Sequence, residues 1–121
     1  MRVFKTRAFA RFAARENIGD EALREAADRA SRGLVDADLG GGVVKQRIAR
    51  PGEGRSGGVR AILLWRRGGR GFFAYGFAKS DQANLRPDEL RALRRLADEM
   101  LALEGPAQDA MLANGTIDEV E

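Results

Sequence analysis

Lys45 and Arg47 stand two residues apart in a stretch where Val44 and Ile48 take the alternate positions, so in an extended chain both cations leave one face. Arg60 opens the next apolar run, and Lys79 closes the one after that. Neighbouring antiparallel strands pair residues near their common loop, which brings Arg47 or Arg50 close to Arg60. Like charges gathered in this way call for an anion, and a phosphodiester suits guanidinium groups that bind its oxygens in pairs. The connecting segment, Arg50-Pro-Gly-Glu-Gly-Arg-Ser-Gly-Gly58, adds Arg50 and Arg55, and the backbone N–H groups of Gly57 and Gly58 can reach phosphate oxygens. It matches neither the phosphate-binding P-loop nor the dinucleotide fingerprint, so plain loop flexibility also accounts for its glycines. The arginines have their own simpler account, as the wet face of a soluble sheet.

Composition narrows the chemistry. The 121-residue chain has no cysteine and no histidine. That removes thiolate nucleophiles, disulfides, the usual acid–base group at neutral pH and the commonest nitrogen ligand of transition metals. No cofactor or metal is expected, and a reducing compartment is. The net charge of +3 conceals an uneven distribution. From Val43 to Ser80 nine basic residues face the single acid Glu53, a local charge of +8. From Asp81 to Glu121 four arginines face ten acids, a local charge of −6. A basic middle before an acidic end suggests a polyanion site beside a solvated or partner-binding region. The amino terminus lacks the apolar run of a signal peptide, and no stretch approaches the roughly 20 apolar residues that span a bilayer, so a soluble, unexported, cytoplasmic protein without membrane contact is expected.

The cations need a sheet beneath them. Val3 and Phe4 suggest a short edge strand, and Thr6 can cap a helix with Phe9, Phe12 and Ala13 at helical spacing, ending near Asn17 to Gly19. Asp20 is a second candidate cap, before a stripe of Leu23, Ala26, Ala27, Ala30 and Leu34 that Gly33 can terminate. These two helices read as a cover laid across the sheet. A linker from Asp36 to Gly42 leads into the basic strand. The apolar run from Val59 to Trp65 reads as a central strand, Gly68-Gly69 as a two-residue hairpin turn, and Gly71 to Phe77 as an aromatic strand whose Tyr75, like Trp65, is assigned to the core. Pro87, Asp88 and Glu89 start a last helix with Leu90, Leu93, Ala97, Met100 and Leu101 on its apolar face, although Arg86 is a poor cap. The expected architecture is α+β: two N-terminal helices packed on a curved antiparallel sheet of about four strands, with a C-terminal helix. Residues 1–103 form the domain and residues 104–121 an extension.

The run from Gly41 to Arg60, Gly-Gly-Val-Val-Lys-Gln-Arg-Ile-Ala-Arg-Pro-Gly-Glu-Gly-Arg-Ser-Gly-Gly-Val-Arg, resembles the central segment of RelE/HigB-type toxins of the RelE/ParE superfamily. So does Tyr75-Gly-Phe-Ala-Lys-Ser-Asp-Gln-Ala-Asn-Leu85. The resemblance covers residues 1 to 103. It implies the toxin of a bacterial type II toxin-antitoxin system, a ribosome-dependent messenger-RNA endoribonuclease (an mRNA interferase) that inhibits translation, with the ribosome and mRNA as partners and a helix-turn-helix antitoxin to neutralise it. Residue by residue, the family's basic strand pair falls on Lys45 and Arg47, its phosphate-binding arginine on Arg60, and its basic position after the last strand on Lys79. Two departures stand out. Relatives of RelE itself carry a lysine where this chain has Arg47, and a late tyrosine or histidine that this chain lacks near Lys79.

Metal-independent RNA cleavage requires the 2′-hydroxyl deprotonated, the phosphorane charge neutralised and the leaving 5′-oxygen protonated. Lys45 suits the base, because the like charges of Arg47 and Arg60 disfavour its protonated form. Arg60 suits the phosphate, and Lys79 or Arg47 the acid, with Arg50, Arg55, Gly57 and Gly58 gripping the RNA. Two alternatives stay open: a non-catalytic gyrase inhibitor of the ParE type, which shares the fold, and a nucleic-acid-binding accessory domain.

Overall fold

The computed structural model describes residues 1–50, 52, 58–78 and 85–121. Its elements run β1 (Val3–Thr6), α1 (Arg7–Arg15), α2 (Asp20–Ser31), β2 (Ala37–Asp38), β3 (Val43–Ile48), β4 (Val59–Trp65), β5 (Gly71–Ala78), α3 (Pro87–Leu101), α4 (Gly105–Ala113) and β6 (Ile117–Glu119). The α+β class is as expected, but the sheet has six strands in the order β2-β3-β4-β5-β1-β6 and is mixed. The antiparallel run β2 to β5 is the expected meander, with β4 inside it. β1 then lies parallel to β5, and β6 pairs antiparallel with β1. So β1 is an interior strand and not an edge. β2, β1 and β6 are two to four residues long, too short for alternation to register in the sequence. Beyond Leu103, Ile117 and Val120 are buried, and the Val120 N–H bonds the Val3 carbonyl at 2.8 Å.

Local chemistry sets the helix ends. The Thr6 hydroxyl accepts the Phe9 N–H at 3.1 Å, and Asn17, at φ 57°, turns the chain out of α1. Gly19 takes the cap position of α2. Asp20 instead accepts Lys5 Nζ at 2.7 Å and the Glu121 N–H at 3.1 Å, stapling the helix start to β1 and the chain end. Gly33 (φ 80°) stops the helix as expected, which leaves Leu34 past its end and exposed, off the buried stripe. At α3 the Glu89 carboxylate accepts the Arg86 N–H at 2.9 Å, the reciprocal arm of a capping box that compensates for arginine at the cap.

Two cores flank the sheet. On one face Phe9, Phe12, Leu23, Ala26, Ala27 and Ala30 of α1 and α2 meet Val44, Ile48, Val59, Ala61, Leu63 and Phe73. On the other, Ala97 and Met100 of α3 join Phe4, Val43, Ile62, Leu64, Phe72, Phe77 and Ile117. Among the buried polar side chains, Gln46 is fully enclosed yet satisfied. Its amide nitrogen donates to the Ala26 and Leu34 carbonyls at 2.9 and 3.0 Å, and its oxygen accepts the Asp36 N–H at 3.2 Å.

Two turns differ from the expectation. Residues 36–42 are not a plain linker, because Ala37 and Asp38 pair with Lys45 and Val44 across a tight turn at Gly40, Gly41 and Gly42, all with positive φ. The β4–β5 connection spans Arg66 to Arg70. Its turn is centred on Arg67-Gly68 and closed by the Gly69 N–H on the Arg66 carbonyl at 3.0 Å; Gly68 at φ 80° supplies the third-position conformation of a type II turn.

Candidate nucleic-acid interface

Strand register places Arg47 directly opposite Arg60, and Arg60 opposite Phe77. One step along the same face, Lys45 stands opposite Ile62, and Ile62 opposite Tyr75. Alternation sends Val44, Gln46 and Ile48 into the core under α1 and α2, so Lys45 and Arg47 point away from it. The helix on their side, α3, is fastened at the far end of the sheet. Arg94 donates to the Leu39 carbonyl, and Asp98 pairs with Arg66. The end bearing Arg47 and Arg60 lies away from these ties.

Crowded cations need a counter-charge, and the chain supplies one in Asp36. Its Oδ2 accepts Arg47 Nε at 2.9 Å and lies 3.9 Å from Arg60 Nε. Its backbone N–H is held by the Lys45 carbonyl at 3.1 Å and by Gln46, so the buried amide aims the carboxylate across the cation pair. The two arginines differ in solvation. The Arg47 side chain is 46% exposed, that of Arg60 only 12%, and Arg60 Nη1 is buried without a hydrogen-bond partner among the described residues. An unsatisfied guanidinium nitrogen is costly, and an incoming phosphate oxygen would satisfy it. The Lys45 ammonium has neither ion-pair nor hydrogen-bond partner among the described residues. Arg29, buried beneath the strand, bonds the Arg47 carbonyl at 2.6 Å and fixes the backbone from below.

The other expected site residues separate. Arg50 pairs with Glu16 at the C-terminus of α1 at 2.7 Å, toward the helix-covered side of the sheet. Gly58 is buried, and a Cβ there would fall 1.9 Å from the Ile48 carbonyl oxygen, so close strand approach by itself requires glycine. Arg55, Gly57 and Lys79 lie outside the described residues. No group of three or more Asp or Glu that could hold a metal ion occurs among the described residues, and no helix among them is long and apolar enough to cross a membrane.

Two residues join this face that periodicity does not place there, Asp36 and Tyr75. Asp36 lies in the segment that reads as a linker, yet the Gly40-Gly41-Gly42 turn folds it back beside Gln46, next to Arg47. Tyr75, expected in the core, is 44% exposed. The cause is a bulge: Ile62 pairs with Tyr75 but Leu63 with Phe73, so Ala74 is an extra residue. Strict alternation would group Tyr75 with Phe73 under α1. The bulge instead turns Tyr75 and Phe77 to the face of Arg60, their rings 6.0 Å apart. Trp65, by contrast, is partly buried against the α1–α2 core.

Searches of the curated proteins and of the solved structures each found no match. The family model described as RelE toxin of RelE / RelB toxin-antitoxin system matches residues 1–120, nearly the whole chain and including the segment after Leu103. The chain therefore belongs to the RelE family, the toxins of the RelE/RelB toxin-antitoxin system.

Proposed function

We propose that this toxin is a ribosome-dependent endoribonuclease that cleaves messenger RNA without a metal ion and so blocks translation. The observation that carries the reading is the pairing of Arg47 with Arg60 across adjacent strands, with Lys45 on the same face and a buried Arg60 nitrogen that lacks an acceptor among the described residues. Lys45 takes the 2′-hydroxyl proton. The resulting oxyanion attacks the adjacent phosphorus while Arg60 neutralises the phosphorane oxygens. Lys79 or Arg47 gives a proton to the departing 5′-oxygen, leaving a 2′,3′-cyclic phosphate and a 5′-hydroxyl. A guanidinium releases its proton reluctantly, which favours Lys79 for that step. Arg50, Arg55, Gly57 and Gly58 contribute to holding the strand. Such modest acid–base groups suit an enzyme that takes its substrate geometry from the ribosome, because strict positioning alone can supply roughly 7–11 kcal/mol of the barrier. The antitoxin that restrains it carries a helix-turn-helix domain, and toxin and ribosome meet in the cytoplasm.

The test is induced expression of wild type, Lys45→Ala and Arg60→Ala, with mapping of message 5′ ends within minutes. Codon-phased cuts that disappear in both variants are expected. Growth arrest with intact messages would replace this reading with a gyrase-type inhibitor, and unimpaired growth with an accessory binding domain.

A further inference from the structure

Beside the basic face, no strand among the described residues pairs with β5 beyond Phe73 on its β1 side, although the Thr6 hydroxyl donates to the Ala74 carbonyl at 3.2 Å. β1 accompanies β5 only from Gly71 to Phe73, and past that point α1 runs alongside. A cleft of about 250 Å³ lies between them, lined by Ala8, Arg11, Phe12, Arg15, Tyr75 and Gly76 among others. Gly76 lets the Phe12 ring lie against the strand beside the cleft, since a Cβ there would stand 2.4 Å from its ring carbons. Arg11 and Arg15, one helical turn apart, are exposed and have no ion-pair or hydrogen-bond partner among the described residues. Tyr75 belongs to two surfaces. It borders this cleft, and it is the last member of the Lys45–Ile62–Tyr75 row on the cationic face, about 10 Å from Lys45 at two strand spacings.

We infer that Tyr75, Arg11 and Arg15 form a second RNA subsite: a nucleobase next to the scissile phosphate stacks on the Tyr75 ring, and the strand continues off the sheet edge with its phosphates on Arg11 and Arg15. The inference rests on the ribonuclease reading and extends it. An exposed aromatic flanked by cations is the composition of a single-strand platform, in which stacking tolerates any base and the cations follow the backbone. The bulge that turns Tyr75 out of the α1 core serves this arrangement, and α1 becomes part of the RNA path as well as a cover. Of the two cation sets, Arg47 and Arg60 already face Asp36, whereas Arg11 and Arg15 face no acid among the described residues.

The experiment measures binding of a fluorescent single-stranded 2′-O-methyl oligonucleotide, which cannot be cut at its blocked 2′ positions, to the purified full chain at several salt concentrations. Tyr75→Leu should weaken binding roughly 5- to 100-fold while Tyr75→Phe, which keeps the π face, stays near wild type. The double variant Arg11→Gln/Arg15→Gln should lower affinity and flatten the plot of log affinity against log salt by about 1.4, at about 0.7 per phosphate contact on a single strand. Unfolding midpoints of the Tyr75, Arg11 and Arg15 variants should match wild type, because these three side chains are exposed. If Arg60→Ala loses affinity while the Tyr75 and arginine variants keep it, the subsite is wrong and the ribonuclease reading stands. If all of them, Arg60→Ala included, bind like wild type, both are wrong. Equal affinity of Tyr75→Leu and Tyr75→Phe would remove stacking.

Discussion

Replacing Asp36 by asparagine keeps the shape of the side chain and removes the carboxylate that, among the described residues, faces both Arg47 and Arg60. Two losses result, and they differ in size. The Arg47 pair is short, at 2.9 Å, but that arginine is nearly half exposed, so water replaces the contact at about 0.5 kcal/mol. Arg60 is largely buried and 3.9 Å away. The bare attraction there is about 4 kcal/mol at an effective dielectric constant of 20, and the partly wet carboxylate reduces it. The cost should fall between that of an exposed pair and the 3–5 kcal/mol of breaking a fully buried one, at about 2 kcal/mol. Asp36→Asn should therefore lower stability by about 2 to 2.5 kcal/mol, near 10 °C in Tm for a domain of this size. RNA affinity should move the other way, because the phosphate no longer competes with a carboxylate for the two guanidinium groups. Urea denaturation in a double-mutant cycle isolates the larger part. In an Arg60→Met background, Asp36→Asn should cost only the Arg47 contribution of about 0.5 kcal/mol. An undiminished cost in that background, or a fall in RNA affinity for Asp36→Asn alone, would refute the argument.

Three further outcomes follow from the fold. Gln46→Leu fills the same space but strips a partner from the Leu34 carbonyl and loosens Asp36, and should cost about 1–3 kcal/mol by denaturant titration. Ile117→Ala leaves a cavity in the core that β6 shares with Phe4 and should cost about 2–4 kcal/mol, seen as a lower Tm with unchanged native circular dichroism. Burial raises the Asp20 carboxyl, but hydrogen bonds from Lys5 and the Glu121 N–H, with the charges of Lys5 and Arg24, outweigh it and hold the group below the usual carboxylate range. Its folded form thus binds a proton less readily than its unfolded form, so its stabilisation is complete above the unfolded value of about 3.9 and is lost as pH falls through the lower folded value. Asp20→Asn should be less stable than wild type at pH 7, and the gap should close in acid; a gap that persists at pH 2 would count against the linkage.

Where one residue's chemistry decides the backbone, the sequence was readable. Thr6 caps α1, Gly33 ends α2, and the spacing of Lys45 and Arg47 puts both on the strand face that Arg60 shares. The features that escaped depend on partners far along the chain. Ile117 and Val120 carry too few residues to show a period, and only the Val3 and Phe4 backbone they meet makes β6 a strand. The Ala74 bulge leaves no mark in the composition of Gly71–Ala78, yet it reverses the face of Tyr75. Asp36 is joined to its arginines by the Gly40–Gly42 turn and by Gln46, which periodicity counts as an ordinary inward position.

The same wiring bears on how a basic site survives without its substrate. Lys45, Arg47 and Arg60 on adjacent strands repel one another, and the native state must offset that repulsion before any phosphate arrives. Asp36 does so only in part. It hydrogen-bonds Arg47 and lies 3.9 Å from Arg60 Nε, and the buried guanidinium retains one nitrogen without an acceptor among the described residues. Full neutralisation would give a more stable protein that binds RNA less well, since the phosphate would have to displace a complete ion pair. No neutralisation would leave Arg60 buried with no nearby negative charge. Gln46 fixes the compromise geometrically: by holding the Asp36 backbone against β3, it lets the carboxylate reach the exposed arginine and keeps it off the buried one.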